Sequence, residues 1–334
     1  MKYREQNADS QKYKQNYLDG IKRIIAQRQA EAEDARANYA RDILSDGERY
    51  RADFRKMLGW PLVDHATSGQ PNVICEKLSD EDSFEVFRMQ IEVLDGLFLT
   101  GLLIKQKSNE RLPLIIVQHG GGGSPELVAG LYGTTSNYHD MLGSVSSRGC
   151  HAFLPQLYVW GEGHGVKYDR VSHDAQLKRL GGSITALEVF GITRIIDYFE
   201  SQDYVKSFGM LGLSYGGFYT LFTAACDTRI RSALTCAQFS SRDAYPWPDW
   251  VWQGSAFSFD DAEIACLVYP RKLYIAVGER DDLFDYRFAV ESFEKLKKIC
   301  GDDRSDWLEF QTFDGIHEFL RDEELVEKLV EDLK

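Results

Sequence analysis

The chain has 334 residues, of which 43% are hydrophobic and 13% aromatic, enough to fill a sizeable core in one large domain with an appended segment. The formal net charge of -13 argues against nucleic acid as a partner, because its phosphates would be repelled. The charge also disfavours anionic membranes, and no stretch approaches the ~20 apolar residues of a membrane helix, so no membrane association is expected.

The six cysteines are scattered, with no CxxC pair and no close grouping of cysteine with histidine. Buried free thiols are the ordinary interpretation of such a distribution, so we expect neither a disulfide framework nor a metal site. The first residues also lack the apolar core of a secretory signal. These features predict a cytoplasmic protein with reduced thiols.

Residues 1–60 are predicted to form an N-terminal helical extension, charged and free of proline between residues 7 and 58. An apolar stripe at helical spacing indicates a first helix, and a second apolar group precedes Gly59-Trp60-Pro61. The first group is Leu18, Ile21, Ile24 and Ile25, and the second is Tyr39, Ile43 and Leu44. We expect this extension to pack on the main domain or on a partner subunit, which would allow a homodimer through the N-terminal helices. A helical decoration without chemistry is its simplest interpretation.

Residues 61–334 are predicted to form one α/β domain. Strands are expected at 73–78, 84–94 and 97–105, and the turn Asp95-Gly96 joins the last two as a hairpin. Further strands at 114–118, 151–154, 208–213, 233–238, 273–277 and 307–313 alternate with helices at 183–200, 216–226, 286–299 and 318–333. This alternation predicts a mostly parallel sheet of about eight strands covered by helices on both faces, with an antiparallel start.

The most informative motif is Gly212-Leu213-Ser214-Tyr215-Gly216-Gly217, which lies between a predicted strand and a predicted helix. A turn this tight strains the backbone of its middle residue, and the flanking glycines remove side chains that would collide there. The serine would stand above the carboxyl edge of the sheet, at a helix N-terminus that favours developing negative charge. Ser214 is therefore the predicted nucleophile, and an idle serine in a glycine-rich turn is the alternative.

A serine hydroxyl needs a base, and His317 follows the last predicted strand in the loop Asp314-Gly315-Ile316-His317. This position agrees with the chain order serine, acid, histidine that is expected when the serine lies on a tight strand-to-helix turn. Capping of the terminal helix is the structural alternative for His317. The motif is not HExxH, because the residues after His317 are EFLR.

The acid that orients the histidine is expected in the loop 278–285, after the strand at 273–277. Its sequence GERDDLFD offers four carboxylates, of which Asp281 and then Asp282 are the leading candidates. Only one of the two can accept the imidazole N–H, so the other would cap the next helix or face solvent.

Two backbone N–H groups must face the oxygen on which charge develops. Tyr215, the residue after the nucleophile, would supply one of them. The loop His119-Gly120-Gly121-Gly122-Gly123 lets the backbone approach a substrate, so Gly121 or Gly122 would supply the other. A phosphate cradle is the competing interpretation, but GK[ST] and GxGxxG are both missing. His119 is expected to brace this loop.

The segments HGGGG at 119–123, RGCHAFLPQ at 148–156, GLSYGGFYTLF at 212–222 and GERDD at 278–282 resemble the dienelactone-hydrolase-like and acetyl-xylan-esterase-like branch of the α/β-hydrolases. The resemblance implies hydrolysis of short acyl esters, often on carbohydrates, without a cofactor. It also implies Ser214 as nucleophile, Asp281 as acid and His317 as base. Gln156 departs from the pattern, since many relatives have aspartate there, and the position is structural.

Two other functions compete with a serine esterase. The string SYGGF also resembles prolyl-oligopeptidase-like peptidases, but their usual propeller does not fit into about 110 residues before the strand at 114–118. A non-catalytic binding protein on the same fold is the third hypothesis, and the intact serine, aspartate and histidine positions argue against it.

Aromatic residues cluster in two loops at the predicted carboxyl side of the sheet, where ligands bind in this topology. Their rings could stack on sugars or enclose an acyl group, and a loop anchored by its tryptophans is the alternative. The candidate substrate-binding residues are Trp160, Tyr245, Trp247, Trp250 and Trp252.

Overall fold

The computed structural model describes residues 1–65, 69–158, 169–301 and 306–334. Its strands are β1 (Val73–Asp80), β2 (Phe84–Leu94), β3 (Leu97–Gln106), β4 (Leu112–Gln118), β5 (His151–Pro155), β6 (Val205–Leu213), β7 (Ile230–Cys236), β8 (Lys272–Gly278) and β9 (Leu308–Phe313). They form one sheet in the order β1-β2-β3-β5-β4-β6-β7-β8-β9.

The sheet is antiparallel at one edge and parallel elsewhere. β1, β2 and β3 pair antiparallel, and β3 continues antiparallel to β5. From β5 through β4 to β9, every neighbouring pair is parallel. The turn between β2 and β3 places Gly96 at φ +74°, the left-handed conformation that hairpin turns require. The predicted mostly parallel sheet with an antiparallel start is confirmed, with nine strands instead of about eight.

Helices cover both faces of the sheet. In the described ranges they are α1 (Asn7–Tyr39), α2 (Gly47–Leu58), α3 (Pro125–Val128), α4 (Met141–Ser146), α5 (Arg170–Arg179), α6 (Ile184–Glu200), α7 (Tyr215–Cys226), α8 (Asp261–Cys266), α9 (Tyr286–Cys300) and α10 (Glu324–Glu331). None of these described helices is both long and apolar enough to cross a membrane.

Two hydrophobic cores lie on opposite faces of the sheet because successive side chains of a strand point to opposite sides. In β4, Leu114 and Ile116 enter the core shared with α2, α6, α7, α8 and α9. The intervening Ile115 and Val117 enter the core shared with α3, α4 and α10. Continuous apolar runs such as β4 are therefore buried on both faces, as expected for central parallel strands.

The two N-terminal helices differ in how they contact the rest of the chain. α2 packs into a core, where Phe54 is fully buried and its ring lies 5.2 Å from that of Phe222. α1 has 33 residues, of which Ala32 and Arg36 near its end are buried. The helical character predicted for this region agrees with the structure, while the domain boundary at residue 60 stays a prediction.

The last helix begins at Glu324, six residues later than predicted. The residues between it and β9 form a loop instead, and this loop has contacts of its own. The backbone N–H of Phe319 donates to the carbonyl oxygen of Asn137 at 2.9 Å, which fixes the loop against the segment before α4.

Candidate active site

Ser214 occupies a strained turn between β6 and α7. Its backbone angles are φ +59° and ψ -120°, a region that residues with side chains rarely adopt. The N–H of Ser214 donates to the carbonyl oxygen of Cys236 at 2.8 Å, which ties the turn to the end of β7. The side chain therefore stands at the carboxyl edge of the sheet, as the motif predicts.

The glycines on either side of the turn allow two stretches of backbone to approach closely. A Cβ atom at Gly212 would lie 2.4 Å from the carbonyl group of Gly216. A Cβ atom at Gly216 would lie 2.1 Å from the carbonyl oxygen of Gln118, in the neighbouring strand. Both positions exclude any larger residue without a backbone shift, which explains the glycine spacing of the motif.

His317 and Asp281 form a hydrogen-bonded pair across the ends of β8 and β9. Nδ1 of His317 donates to Oδ2 of Asp281 at 2.8 Å. Oδ1 of Asp281 accepts from the backbone N–H groups of Leu283 and Phe284 at 2.8 and 2.9 Å. The Asp281 side chain is 1% exposed and that of His317 is 19% exposed, whereas Asp282 is exposed. The loop thus brings Asp281, and not Asp282, to the histidine.

The segment before α4 holds the histidine loop from the other side, a relationship that sequence reasoning missed. Nδ2 of Asn137 donates to the carbonyl oxygen of His317 at 3.1 Å. Nε2 of His139 lies 2.7 Å from Oε2 of Glu318, the residue after the histidine. Ser136 and His139 both have φ near +50°, which bends this segment around the loop. Residues 180 positions apart carry no sequence pattern that would pair them.

A cavity of about 570 Å³ brings the predicted site residues together. Ser214 and His317 both line it, and so do the expected oxyanion residues Gly121, Gly122 and Tyr215. The remaining wall consists of Gly120, Leu127, Ser136, Asn137, Tyr138, Leu213, Trp247, Pro248, Asp249 and Leu283. The cavity thus opens at the carboxyl ends of β4, β6, β7 and β8.

The glycine loop after β4 presents free donors to this cavity. The N–H of Gly120 donates to the hydroxyl oxygen of Tyr138 at 2.8 Å, and burial raises the pKa of that hydroxyl to about 12. Within the described residues, the N–H groups of Gly121 and Gly122 have no hydrogen-bond acceptor. These two glycines can therefore donate to a substrate oxygen without breaking an existing bond.

His119 braces the same loop through both ring nitrogens. Its Nδ1 lies 2.8 Å from the carbonyl oxygen of Gly120, and its Nε2 accepts from the N–H of Leu157 at 3.0 Å. Nε2 of Gln156 lies 3.2 Å from the same ring nitrogen. The imidazole is thus occupied by backbone contacts, which fits the bracing role predicted for it.

A buried ion network lies behind the cavity wall. Arg170 is fully buried, and its Nε donates to Oδ2 of Asp249 at 2.6 Å. Its Nη1 donates to Oε2 of Glu188 at 2.9 Å, and its Nη2 donates to the hydroxyl of Tyr219 at 2.6 Å. Sequence reasoning did not identify this network, because it joins α5, α6, α7 and the loop after β7 only in the folded chain.

The aromatic candidates fall into different environments. Trp247 lines the cavity, whereas Trp250 is fully buried and stacks on Phe218 with ring centres 4.8 Å apart. Contrary to the prediction that it binds substrate, Trp250 is a core residue, because its ring packs against Phe218 of α7 and against Phe284 in the loop after β8. Trp252 packs near Phe222, with ring centres 5.9 Å apart.

Two further candidates remain. The hydroxyl of Tyr245 accepts from the N–H of Asp285 at 2.7 Å, so this ring joins the aromatic loop to the start of α9. Neither Tyr245 nor Trp252 is part of the cavity wall defined by the described residues. Trp160 lies outside the described residues.

No protein-family model matches the sequence, and no curated protein matches it either. Solved structures, in contrast, resemble most of the chain. A glucuronoyl esterase from Solibacter usitatus aligns with a TM-score of 0.64 and 14% identity, over 86% of this chain and 91% of that one. A putative acetyl xylan esterase from Bacteroides fragilis aligns with a TM-score of 0.65 and 14% identity, over 85% and 80%.

A third structure gives a similar result. Acetyl xylan esterase 1 from Thermoanaerobacterium sp. JW/SL YS485 aligns with a TM-score of 0.58 and 15% identity, over 86% of this chain and 93% of that one. At such identities the likeness shows the fold alone. The chain has the α/β-hydrolase fold, as the resemblance in its motifs implied.

Proposed function

We propose that this protein is a serine hydrolase that cleaves carboxylic esters. The observation that carries the proposal is one cavity wall that combines three features: Ser214 on its strained turn, His317 held by Asp281, and the unoccupied N–H groups of Gly121 and Gly122. This combination is the arrangement that acyl transfer by a serine requires.

In the proposed reaction, Nε2 of His317 takes the proton of the Ser214 hydroxyl as its oxygen attacks the ester carbonyl carbon. The Nδ1–H of the imidazole stays hydrogen-bonded to Asp281, which stabilises the positive charge on the ring. The carbonyl oxygen becomes an oxyanion and accepts from the N–H of Tyr215 and from Gly121 or Gly122. The C–O bond to the alcohol then breaks, and His317 protonates the leaving oxygen.

Water completes the cycle by attacking the acyl-serine ester. His317 removes a proton from that water, a second tetrahedral oxyanion forms in the same place, and Ser214 leaves with the proton. The products are a carboxylic acid and a regenerated enzyme. Every proton transfer in this reaction uses His317, and no cofactor is needed.

We assign the substrate class to small esters, with acetylated or other carbohydrate esters as the leading candidates. A cavity of about 570 Å³ is in the range of small-molecule sites and holds a short acyl group with a sugar-sized alcohol. Trp247 in its wall offers a flat face against which a sugar ring could stack. Three of the fold neighbours described above are named as acetyl xylan or glucuronoyl esterases, which supports the same class.

An ester panel tests the proposal. Acetyl, butyryl and octanoyl p-nitrophenyl esters, acetylated sugars and methyl esters of sugar acids would be compared for the wild type and for Ser214→Ala. We expect hydrolysis of the short esters to fall by at least ~10³-fold in the variant, because it lacks the nucleophile. A fluorophosphonate probe should label the wild type and leave the variant unlabelled.

Three results would contradict the proposal. Full activity of Ser214→Ala would remove the serine from the mechanism, and faster cleavage of peptide naphthylamides than of esters would make the protein a peptidase. A wild type that neither reacts with the fluorophosphonate nor hydrolyses any ester would indicate a binding protein on this fold.

A further inference from the structure

The first two-thirds of α1 form an arm that extends away from the rest of the chain. We define the arm as residues 7–27, which at 1.5 Å per residue is about 30 Å long. Within the described residues, the side-chain hydrogen bonds and ion pairs of the arm stay within α1 and the residue before it. The first contacts with the body come later, where Arg28 lies over the ring of Phe257 and Nε2 of Gln29 donates to Oδ1 of Asp243 at 3.0 Å.

The last third of α1 is fixed firmly to the body. Nζ of Lys295 lies 2.8 Å from Oε1 of Glu33, and Nε of Arg36 lies 3.3 Å from Oε2 of Glu263. Nη1 of Arg36 also donates to the carbonyl oxygen of Ala256 at 2.6 Å. The arm is therefore a continuation of an anchored helix, which gives it a defined direction.

One face of the arm is apolar and exposed. Its side chains are 39% to 74% exposed, and they are Tyr17, Leu18, Ile21, Ile24 and Ile25. The spacing of three and four residues places them on the same side of the helix. An unsupported helix of this length is marginal in water, and most helical stability in proteins comes from packing of such a face. We therefore expect this apolar stripe to be covered by another protein surface.

The arm and the body carry opposite charge. The arm, residues 7–27, contains four basic and two acidic side chains, a net charge of +2. Because the whole chain carries -13, the rest of the chain carries -15. Two arms packed against each other would bring together like charges, whereas an arm on a body pairs opposite ones.

We propose that the arm of one copy binds the body of a second copy, in a reciprocal two-fold dimer. The proposed contact surface, called the rim, consists of exposed apolar and acidic residues in the loops after β8 and β9 and in the first turn of α9, and its Leu283 lines the active-site cavity. The rim residues are Asp282, Leu283, Phe288, Asp314 and Ile316, and Oδ1 of Asp314 is paired with Nε of Arg280 at 2.6 Å. A two-fold axis makes each arm and each rim a partner of the other, so two equal contacts close the dimer.

The base of the arm lies beside this rim, which makes the exchange sterically reasonable. Gln29 binds Asp243, and two residues further along the same loop, the hydroxyl of Tyr245 accepts from the N–H of Asp285 at the start of α9. An arm that leaves one body at this point can cross a two-fold axis and reach the equivalent rim. In the dimer, the partner's arm forms one side of the cavity mouth.

Light scattering after size-exclusion chromatography tests the dimer with a matched pair of neighbouring substitutions. Ile25→Asp places a charge on the apolar stripe, and Ala26→Asp places the same charge on the opposite face of the exposed arm. We expect the full-length wild type and Ala26→Asp to be dimers, and Ile25→Asp to dissociate at least tenfold more readily. All three should melt at the same temperature after correction for dissociation, since the arm is exposed in the monomer. Phe288→Asp on the rim should weaken the dimer in the same way.

A mixing experiment distinguishes a dimer in which each arm binds the body of the other copy from a dimer in which the two arms bind each other. Tagged Ile21→Asp/Ile25→Asp protein still has an intact rim, so it should retain untagged wild type through the wild-type arm. Paired arms would give no such mixed complex. Three results would overturn the proposal: a monomeric wild type, a dimer unaffected by Ile25→Asp, or a wild-type dimer that gives no mixed complex. A monomeric wild type that binds phosphatidylserine vesicles through the stripe would assign the arm to an anionic lipid surface.

Discussion

The hydroxyl group of Tyr215 donates to Oδ2 of Asp249 at 3.0 Å, and the same carboxylate oxygen accepts from Nε of Arg170. Tyr215 follows the proposed nucleophile directly, and its backbone N–H is one of the two proposed oxyanion donors. The buried network therefore reaches the position where negative charge develops. The network would hold Tyr215, the first residue of α7, in a fixed position in the cavity wall.

Tyr215→Phe tests this role. We expect kcat for p-nitrophenyl acetate to fall about tenfold with KM nearly unchanged, because a small displacement of an oxyanion donor acts on the transition state. Tyr219→Phe is the matched control, since it removes a hydroxyl from the same network at a position that does not line the cavity. It should lower stability and leave kcat within about twofold. Equal kinetic effects of the two substitutions would show that the network only stabilises the fold.

Asp281→Asn should lower kcat by about 10⁴-fold, the loss typical of a triad aspartate that becomes an amide. Oδ1 of Asp281 accepts two backbone N–H groups, so the single oxygen of asparagine would remain there and turn its NH₂ group toward His317. The imidazole would then carry its proton on the nitrogen that must act as base.

Asp282→Asn serves as the control for this change, because it alters the neighbouring exposed carboxylate in the same way. Steady-state kinetics on p-nitrophenyl acetate should give nearly wild-type values for it. Exchanged outcomes, with Asp282→Asn inactive and Asp281→Asn active, would reverse the assignment of the acid.

Arg170→Met should lower the free energy of unfolding by at least about 3 kcal/mol. It leaves the carboxylates of Glu188 and Asp249 buried without their shared cation, and an uncompensated buried charge is costly. Arg28→Met removes an arginine from the exposed pair with Glu31 and should change the free energy of unfolding far less. Urea unfolding at neutral pH measures both values, and a loss for Arg170→Met as small as that for Arg28→Met would refute the argument.

The sequence was most informative where function depends on local backbone geometry. Ser214 could be proposed as the nucleophile because the glycines that its turn requires lie within four residues of it, and His317 as the base because its place follows from chain order. The choice of Asp281 depended on a family likeness, since several adjacent carboxylates satisfy the same local pattern. Asp249, Asn137 and Trp250 gain their roles from contacts between distant segments. Their environments depend on tertiary packing, which no local pattern encodes.

The pKa of Glu263 provides a test of how α1 is anchored. Burial raises this pKa to about 7, although Arg36 beside it favours the charged form. A carboxyl group with a raised pKa in the folded state contributes stability below its ordinary pKa of 4.5, and that contribution is lost as the pH rises toward 7. Relative to Glu263→Gln, the wild type should therefore lose up to about 3 kcal/mol between roughly pH 4.5 and pH 8.

Glutamine suits this comparison because its side-chain oxygen can still accept from the N–H of Asp260, as Oε2 of Glu263 does at 2.9 Å. Glu33→Gln on α1 is the control. The hydrogen bond with Lys295 lowers the pKa of Glu33, so its contribution is constant above pH 5 and is lost only in acid. Urea unfolding of the three proteins at several pH values would give a sloping difference for Glu263 and a flat one for Glu33. A flat difference for Glu263 would mean that Arg36 keeps this carboxylate charged throughout the range.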